Sequence, residues 1–222
     1  MMLAIALLLQ DKLAEDTLSK IDQQIAAFRS LSVEVRAELR SQAEDHEKKE
    51  SFSGKILLKD GGKARLDLLR VRDNKESSML IISNGTTVAD TREGETLETP
   101  TPKDFNKNFS LAALALTGVT KAHMLTFEVS APVDYDVRRK GALSNVRVEP
   151  DEGELKSLSY TLTFGAHTST VRVWYSPTDL RPLKRELVWK AAKARVTMTE
   201  TYMNYLVNAD IPDEKFAIPV KK

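Results

Sequence analysis

The residues best suited to catalysis or metal binding are three histidines, His46, His123 and His167. A metal or catalytic cluster shows itself by partners at short, fixed spacing, and none of the three belongs to such an arrangement. They read as isolated surface side chains. The sequence has no cysteine, which removes disulfides, thiolate metal sites and thiol nucleophiles. Asp60-Gly61-Gly62-Lys63 imitates a phosphate loop, but a strand pattern follows where a phosphate site needs a helix, so Lys63 is expected to be merely solvated.

The carboxylates are no more specific. Asp134 and Asp136 alternate on one face of an expected strand, where a pair can serve acid and base chemistry or hold a cation. The same alternation is ordinary on a wetted strand face. Glu149 to Glu154 (EPDEGE) has the oxygen density of a calcium loop without the ligand order of an EF-hand, and reads as a polar hairpin turn. Arg138, Arg139 and Lys140, and Arg181 to Arg185 (RPLKR), are basic patches without interleaved aromatics, so nucleic acid ranks low as a partner. With 33 basic and 32 acidic side chains the net charge of +1 provides no long-range field. No metal, cofactor or catalytic residue is expected. An esterase-type enzyme ranks last among the functions, since no nucleophile constellation is visible.

Function then rests on the elements. At 222 residues, 41% apolar and 29% charged, the chain can bury a core as a single domain. Met1 to Leu9 (MMLAIALLL) is unbroken apolar sequence, too short to span a bilayer and similar to the apolar part of a signal peptide. It suggests an exported, periplasmic protein. From Leu13 to Phe28 the residues Leu18, Ile21, Ile25 and Phe28 fall on one helical face. The period then drops to two: Val33, Val35, Ala37 and Leu39 alternate with Glu34, Arg36, Glu38 and Arg40, which predicts a half-buried strand.

After a charged turn at Glu44 to Glu50, strands Phe52 to Lys59 and Lys63 to Val71 flank Asp60-Gly61-Gly62. Strands Ser77 to Ser83 and Thr86 to Asp90 flank Asn84-Gly85, where both turn positions are expected at positive φ. Thr101, Pro102 and Asp104 open a second predicted helix that Gly118 closes. Its half from Phe109 to Leu116 is apolar around most of the circumference, so it should have apolar surroundings on more than one side. His123 to Val148 reads as two strands or a strand and a loop. Leu155 to Phe164, Val171 to Tyr175, Pro182 to Lys190, Ala194 to Val207 and a last short strand, Lys215 to Val220, bring the count to ten or eleven. An antiparallel sheet of that size must curl, split or close. Its apolar face under two helices can enclose a packed core or a cavity, and patterning alone leaves both open.

The order of local motifs resembles the LolA-like family of periplasmic lipoprotein carriers. Gly54 to Lys59 followed by Arg65-Leu66-Asp67, the passage MLIISNGTTVADTREGE, the strand, turn and strand of VWYSPTDLRPLKREL, and the closing NADIPDEKFAIP each resemble a passage of the family, and they come in the family's order. The resemblance covers nearly the whole chain, 10–222 as one domain. It implies an α+β, mainly antiparallel fold: an incomplete β barrel of about eleven strands, strongly curved, with helices packed on its concave side. It further implies a non-catalytic carrier or chaperone for lipid or the acyl chains of lipoproteins, with an envelope donor or acceptor protein as a possible further partner and no stable membrane insertion. A protein-interaction or envelope-sensor module on the same scaffold is the alternative. On the sheet side the expected apolar ligand residues are Leu66, Leu68, Met79, Ile81, Leu158, Tyr160, Leu162 and Phe164. Phe109, Leu114 and Leu116 are expected on the lid. Alternation fixes which of these share a face, but not which face is concave. The family's carriers commonly have a basic residue in the turn where this chain has Asp60 and Gly61.

Overall fold

The computed structural model describes residues 2–43, 46–92, 94–101, 143–164, 167–191 and 193–219. One α-helix, α1 (Met2–Ala26), precedes eleven strands: β1 (Ser30–Gln42), β2 (Glu47–Lys59), β3 (Lys63–Arg72), β4 (Lys75–Asn84), β5 (Thr87–Arg92), β6 (Glu95–Pro100), β7 (Leu143–Glu152), β8 (Leu155–Phe164), β9 (His167–Tyr175), β10 (Pro182–Ala191) and β11 (Ala194–Val207). They form one antiparallel sheet in the order β6-β5-β4-β3-β2-β1-β11-β10-β9-β8-β7. Because β6 and β7 end that order without pairing, the sheet is not closed. The expected mainly antiparallel fold of about eleven strands is therefore observed, and among the described residues α1 is its single α-helix. The predicted second helix, Thr101 to Gly118, lies outside the described residues apart from Thr101. So does most of His123 to Val148.

The chain divides into two compact units. One comprises Met1–Gln24, Leu39–Lys49 and Asp134–Thr201, the other Ile25–Glu38, Glu50–Val133 and Tyr202–Lys222. In the second unit β2 to β6 form a meander set by turn chemistry. Asp60-Gly61-Gly62 joins β2 to β3 as predicted, with Lys59 opposite Lys63. Asp73 (φ 51°) and Asn74 (φ 60°) make a two-residue turn between Arg72 and Lys75. The short polar side chains of Asp and Asn tolerate the left-handed conformation that this turn demands twice.

The Asn84-Gly85 turn departs from expectation. Only Gly85 has positive φ (99°). Asn84 works through its side chain, whose Oδ1 accepts hydrogen bonds from the backbone N–H groups of Thr86 and Thr87, each at 2.9 Å. That is the local competition by which Asn favours turns. Gly85 is held close to the neighbouring hairpin: a Cβ there would stand 2.4 Å from the carbonyl oxygen of Gly61. Ser83, wholly buried, donates to the Gly62 carbonyl at 2.6 Å and ties the two hairpin tips together.

Two further expectations are corrected. Glu47 to Glu50 is not part of the charged turn but opens β2. The predicted strand Lys215 to Val220 is replaced by a single 3-10 turn, Asp213–Phe216, followed by extended chain. Pro212 and Pro219 lack the N–H that a ladder requires, and Phe216 has found a different burial, with its turn resting on β3 and β4. On the same side Asp213 binds Lys59 (2.8 Å) and Lys63 (2.6 Å), so Lys63 is ion-paired rather than solvated. The two lysines hold the Asp213 carboxyl at about 2, below its ordinary 3.8. A carboxyl with a depressed folded-state pKa adds stability above its unfolded pKa and loses it as the pH falls toward the folded one. Asp213→Asn is therefore expected to lower the urea midpoint at neutral pH but not at pH 2, the difference fading between about pH 5 and pH 2. Denaturation curves of both proteins across that range check it; a constant difference would contradict the clamp.

The start of β1 is stitched to the segment after β11. Asn208 Oδ1 accepts from the Arg29 N–H (2.9 Å), the Asn208 N–H donates to the Ser30 carbonyl (2.9 Å), and Ser30 Oγ donates to the Ala209 carbonyl (2.6 Å). Phe28 meets Tyr205 edge to face at 6.4 Å. In the first unit α1 begins eleven residues before the predicted Leu13 and ends at Ala26 instead of Phe28. Ala14, Leu18 and Ile21 form its buried stripe, and Gln24 Nε2 donates to the Asp179 carbonyl in the β9–β10 turn (2.7 Å). Among the described residues no helix is long and apolar enough to cross a membrane.

Candidate functional site

In the second unit the expected ligand residues stand in register on one face. Leu66 lies opposite Ile81 and Leu68 opposite Met79. On the other side of β3, Ile56 faces Leu66, Gly54 faces Leu68 and Leu58 faces Ala64. Leu66 and Ile81 are each 0% exposed, and Ile56, Leu58 and Ala64 are likewise buried. The sequence reading missed Ile56 and Leu58, although their period-two spacing with Gly54 on β2 marks that face.

Gly54 draws β2 and β3 together. A Cβ there would lie 1.9 Å from the Asp67 carbonyl oxygen, so the two backbones approach as only glycine allows. Around it opens a cleft of about 550 Å³ lined by Glu34, Arg36, Ser53, Lys55, Asp67 and Leu69, among others. Val35, Leu68 and Met203 also line it, so the cleft has both charged and apolar walls. Gly54→Ala must displace the β2–β3 ladder and is expected to cost about 1–3 kcal/mol, the range for overpacking, or more because the opposing atom is backbone. Chemical denaturation measures it; a neutral substitution would contradict the close approach.

In the first unit Leu158 and Tyr160 lie buried on β8, opposite Val173 and Val171 of β9. Leu162 and Phe164 continue β8 in register with Ser169 and His167. The ladder runs on through Arg185 and Leu187 of β10 to Glu200 and Met198 of β11. Phe109, Leu114 and Leu116 lie outside the described residues.

The polar motifs find other roles. EPDEGE is not all turn: Glu149 to Glu152 belong to β7, and Gly153, at φ 63°, with Glu154 turns the chain into β8. RPLKR is split between environments: Arg181 pairs with Asp179, Lys184 reaches Glu152 at 2.9 Å and stacks on the Trp174 ring at 4.4 Å, and Arg185 is buried. Arg172 lies on the same indole at 4.5 Å. Hydrogen bonding from Lys184 holds the Glu152 carboxyl below its ordinary value, as Arg181 does for Asp179. His46 is exposed in the β1–β2 turn, His167 opens β9, and His123 lies outside the described residues. Among the described residues no group of His, Asp and Glu could hold a metal ion.

The sequence matches no family model, and no curated protein matches it. Among solved structures the chain is similar to LprF from Mycobacterium bovis, with 11% identity over 90% of this chain and 95% of that one at a TM-score of 0.42. It is also similar to a putative outer membrane lipoprotein-sorting protein domain from Vibrio parahaemolyticus, with 14% identity over 91% and 97% at a TM-score of 0.37. A third is a Pseudomonas aeruginosa MucA/MucB complex, with 10% identity over 93% of this chain and 61% of that one at a TM-score of 0.39.

Proposed function

We propose that this chain, over 10–222, is an exported, non-catalytic binding or carrier protein for lipid or the acyl chains of lipoproteins. The observation that carries this reading is the run of apolar side chains along one face of the ladder within each unit: Ile56, Leu66 and Ile81 in one, Tyr160, Val171, Leu187 and Met198 in the other. The ordered sequence motifs and the apolar run Met1 to Leu9 support it further. Each acyl methylene taken out of water is worth about 0.8 kcal/mol, so a long chain binds without any catalytic group. Leu66, Leu68, Met79, Ile81, Leu158, Tyr160, Leu162 and Phe164 form the sheet wall in this proposal, with Phe109, Leu114 and Leu116 as the lid. Titration with a fluorescent long-chain fatty acid tests it. Saturable binding that Phe109→Asp or Leu116→Asp weakens is the expected result, and the absence of saturable binding would overturn the carrier reading.

One observation favours a second reading, a protein-interaction or envelope-sensor module. The open sheet ends in β6 and β7, where Leu97 is 68% and Val148 49% exposed. Strand edges of this kind receive an extended segment of a partner. Variants Leu97→Lys and Val148→Lys that lose a partner while keeping fatty-acid binding would favour it.

A further inference from the structure

The charges that line the cleft beside Gly54 are unevenly used. Glu34 Oε2 accepts from Asn204 Nδ2 at 2.9 Å, and Asp67 Oδ2 accepts from Arg65 Nε (3.1 Å) and Nη2 (2.8 Å). Arg36 and Lys55 line the same cleft and, among the described residues, make no ion pair or hydrogen bond, although Lys55 stands directly opposite Asp67 on the β2–β3 ladder. The acidic groups are engaged and the basic ones are free. Ser53 and Ser78 flank Leu69 across β2, β3 and β4, and their hydroxyls are likewise uncommitted among the described residues. Between these small neighbours Leu69 is 38% exposed, and Met203 adds a second apolar side chain to the lining. An exposed cation is at ease in water, so neither Arg36 nor Lys55 marks a site by itself. What marks one is their convergence with two hydroxyls and open apolar surface in a cleft of about 550 Å³, the size of a ligand site. All of these residues belong to one unit.

We propose that this cleft docks an acidic, extended segment of a protein partner: Arg36 and Lys55 hold a carboxylate of the segment while a neighbouring apolar side chain lies on Leu69 and Met203. Glu34 and Asp67 stand in the same cleft and repel a doubly charged phosphate or a dense anionic surface more strongly than a single carboxylate, which favours a peptide over a membrane. By strand alternation Ser53, Lys55, Asp67 and Leu69 face away from Leu66. The segment therefore binds on the face opposite the acyl chain of the carrier reading, and the inference goes beyond that reading without needing it.

Fluorescence anisotropy of the full chain tests it, with a fluorescein-labelled hexapeptide that alternates leucine and glutamate, the same peptide with glutamine for glutamate, and phosphatidylglycerol vesicles as competitor. The acidic peptide is expected to bind at least about tenfold more tightly than its glutamine counterpart, the scale of a charged hydrogen bond, and to weaken as salt is raised. Arg36→Gln combined with Lys55→Gln should remove that preference. Lys75→Gln, at an exposed lysine that opens β4, should keep it, and Leu69→Ser should weaken both peptides alike. Fatty-acid binding by the double variant should equal that of the parent, which also shows that the variant is folded. Equal affinities for the two peptides, a preference that survives the double substitution, or displacement of the peptide by the vesicles would overturn the proposal and leave the carrier reading standing. A parent chain that binds the acidic peptide and no fatty acid would overturn the carrier reading and leave this one.

Discussion

Leu66→Ala is expected to cost about 2–5 kcal/mol in chemical denaturation, with the midpoint falling and the slope unchanged. Leu66 is wholly buried between Ile56 and Ile81 in the β2–β3–β4 ladder, so the truncated atoms leave both a transfer loss and a void. The size of the loss also bears on how the space beside Leu66 is filled. A side chain gripped by protein on all sides gives the high end of that range. One that forms the wall of a ligand space has fewer protein neighbours and gives the low end, and added fatty acid should then raise the variant's melting temperature more than a packed core would permit. A loss below about 1 kcal/mol would contradict the packing described.

Phe216→Ala is expected to cost about 3–5 kcal/mol. The ring is almost wholly buried although it stands on a four-residue 3-10 turn near the end of the chain, and that turn rests on β3 and β4. Ile82 and Ala89, paired across β4 and β5, are buried on the face away from Leu66 and Ile81, so this part of the sheet is dry on both sides. Phe216 and Ile211 supply apolar surface from the closing segment. Equilibrium unfolding and hydrogen exchange should both register the loss, with β3 and β4 amides exposed first. A variant as stable as the parent would mean that the closing segment merely lies on the surface.

Much of this architecture was legible in residue periods. The alternation of β1, β8 and β11 and the glycine-bearing turns after β2 and β4 are local chemistry, and those elements lie where the sequence places them. Three features were not legible because tertiary partners decide them. The first four residues of β2, Glu47 to Glu50, have no hydrophobic period and read as turn, yet they belong to the strand. Phe216 and Ile218 alternate like a strand, yet Pro212 and the pull of Asp213 toward Lys59 and Lys63 bend the segment into a turn. Arg185, read within a basic patch, is buried; its spacing from Leu187 and Trp189 placed it on their face, a signal outweighed by the charge of its neighbours. Within each unit the expected apolar residues share a face, as parity predicted for Leu66 with Ile81 and for Leu158 with Tyr160.

The most direct measurement of the central claim is native mass spectrometry of the full chain, expressed in a bacterial envelope and purified without detergent or denaturant, followed by organic extraction and lipid analysis. The carrier account predicts an added mass that extraction removes and identifies as lipid bearing a long acyl chain, with the emptied protein rebinding fatty acid. A protein that carries no lipid as purified and takes up none afterwards would contradict it.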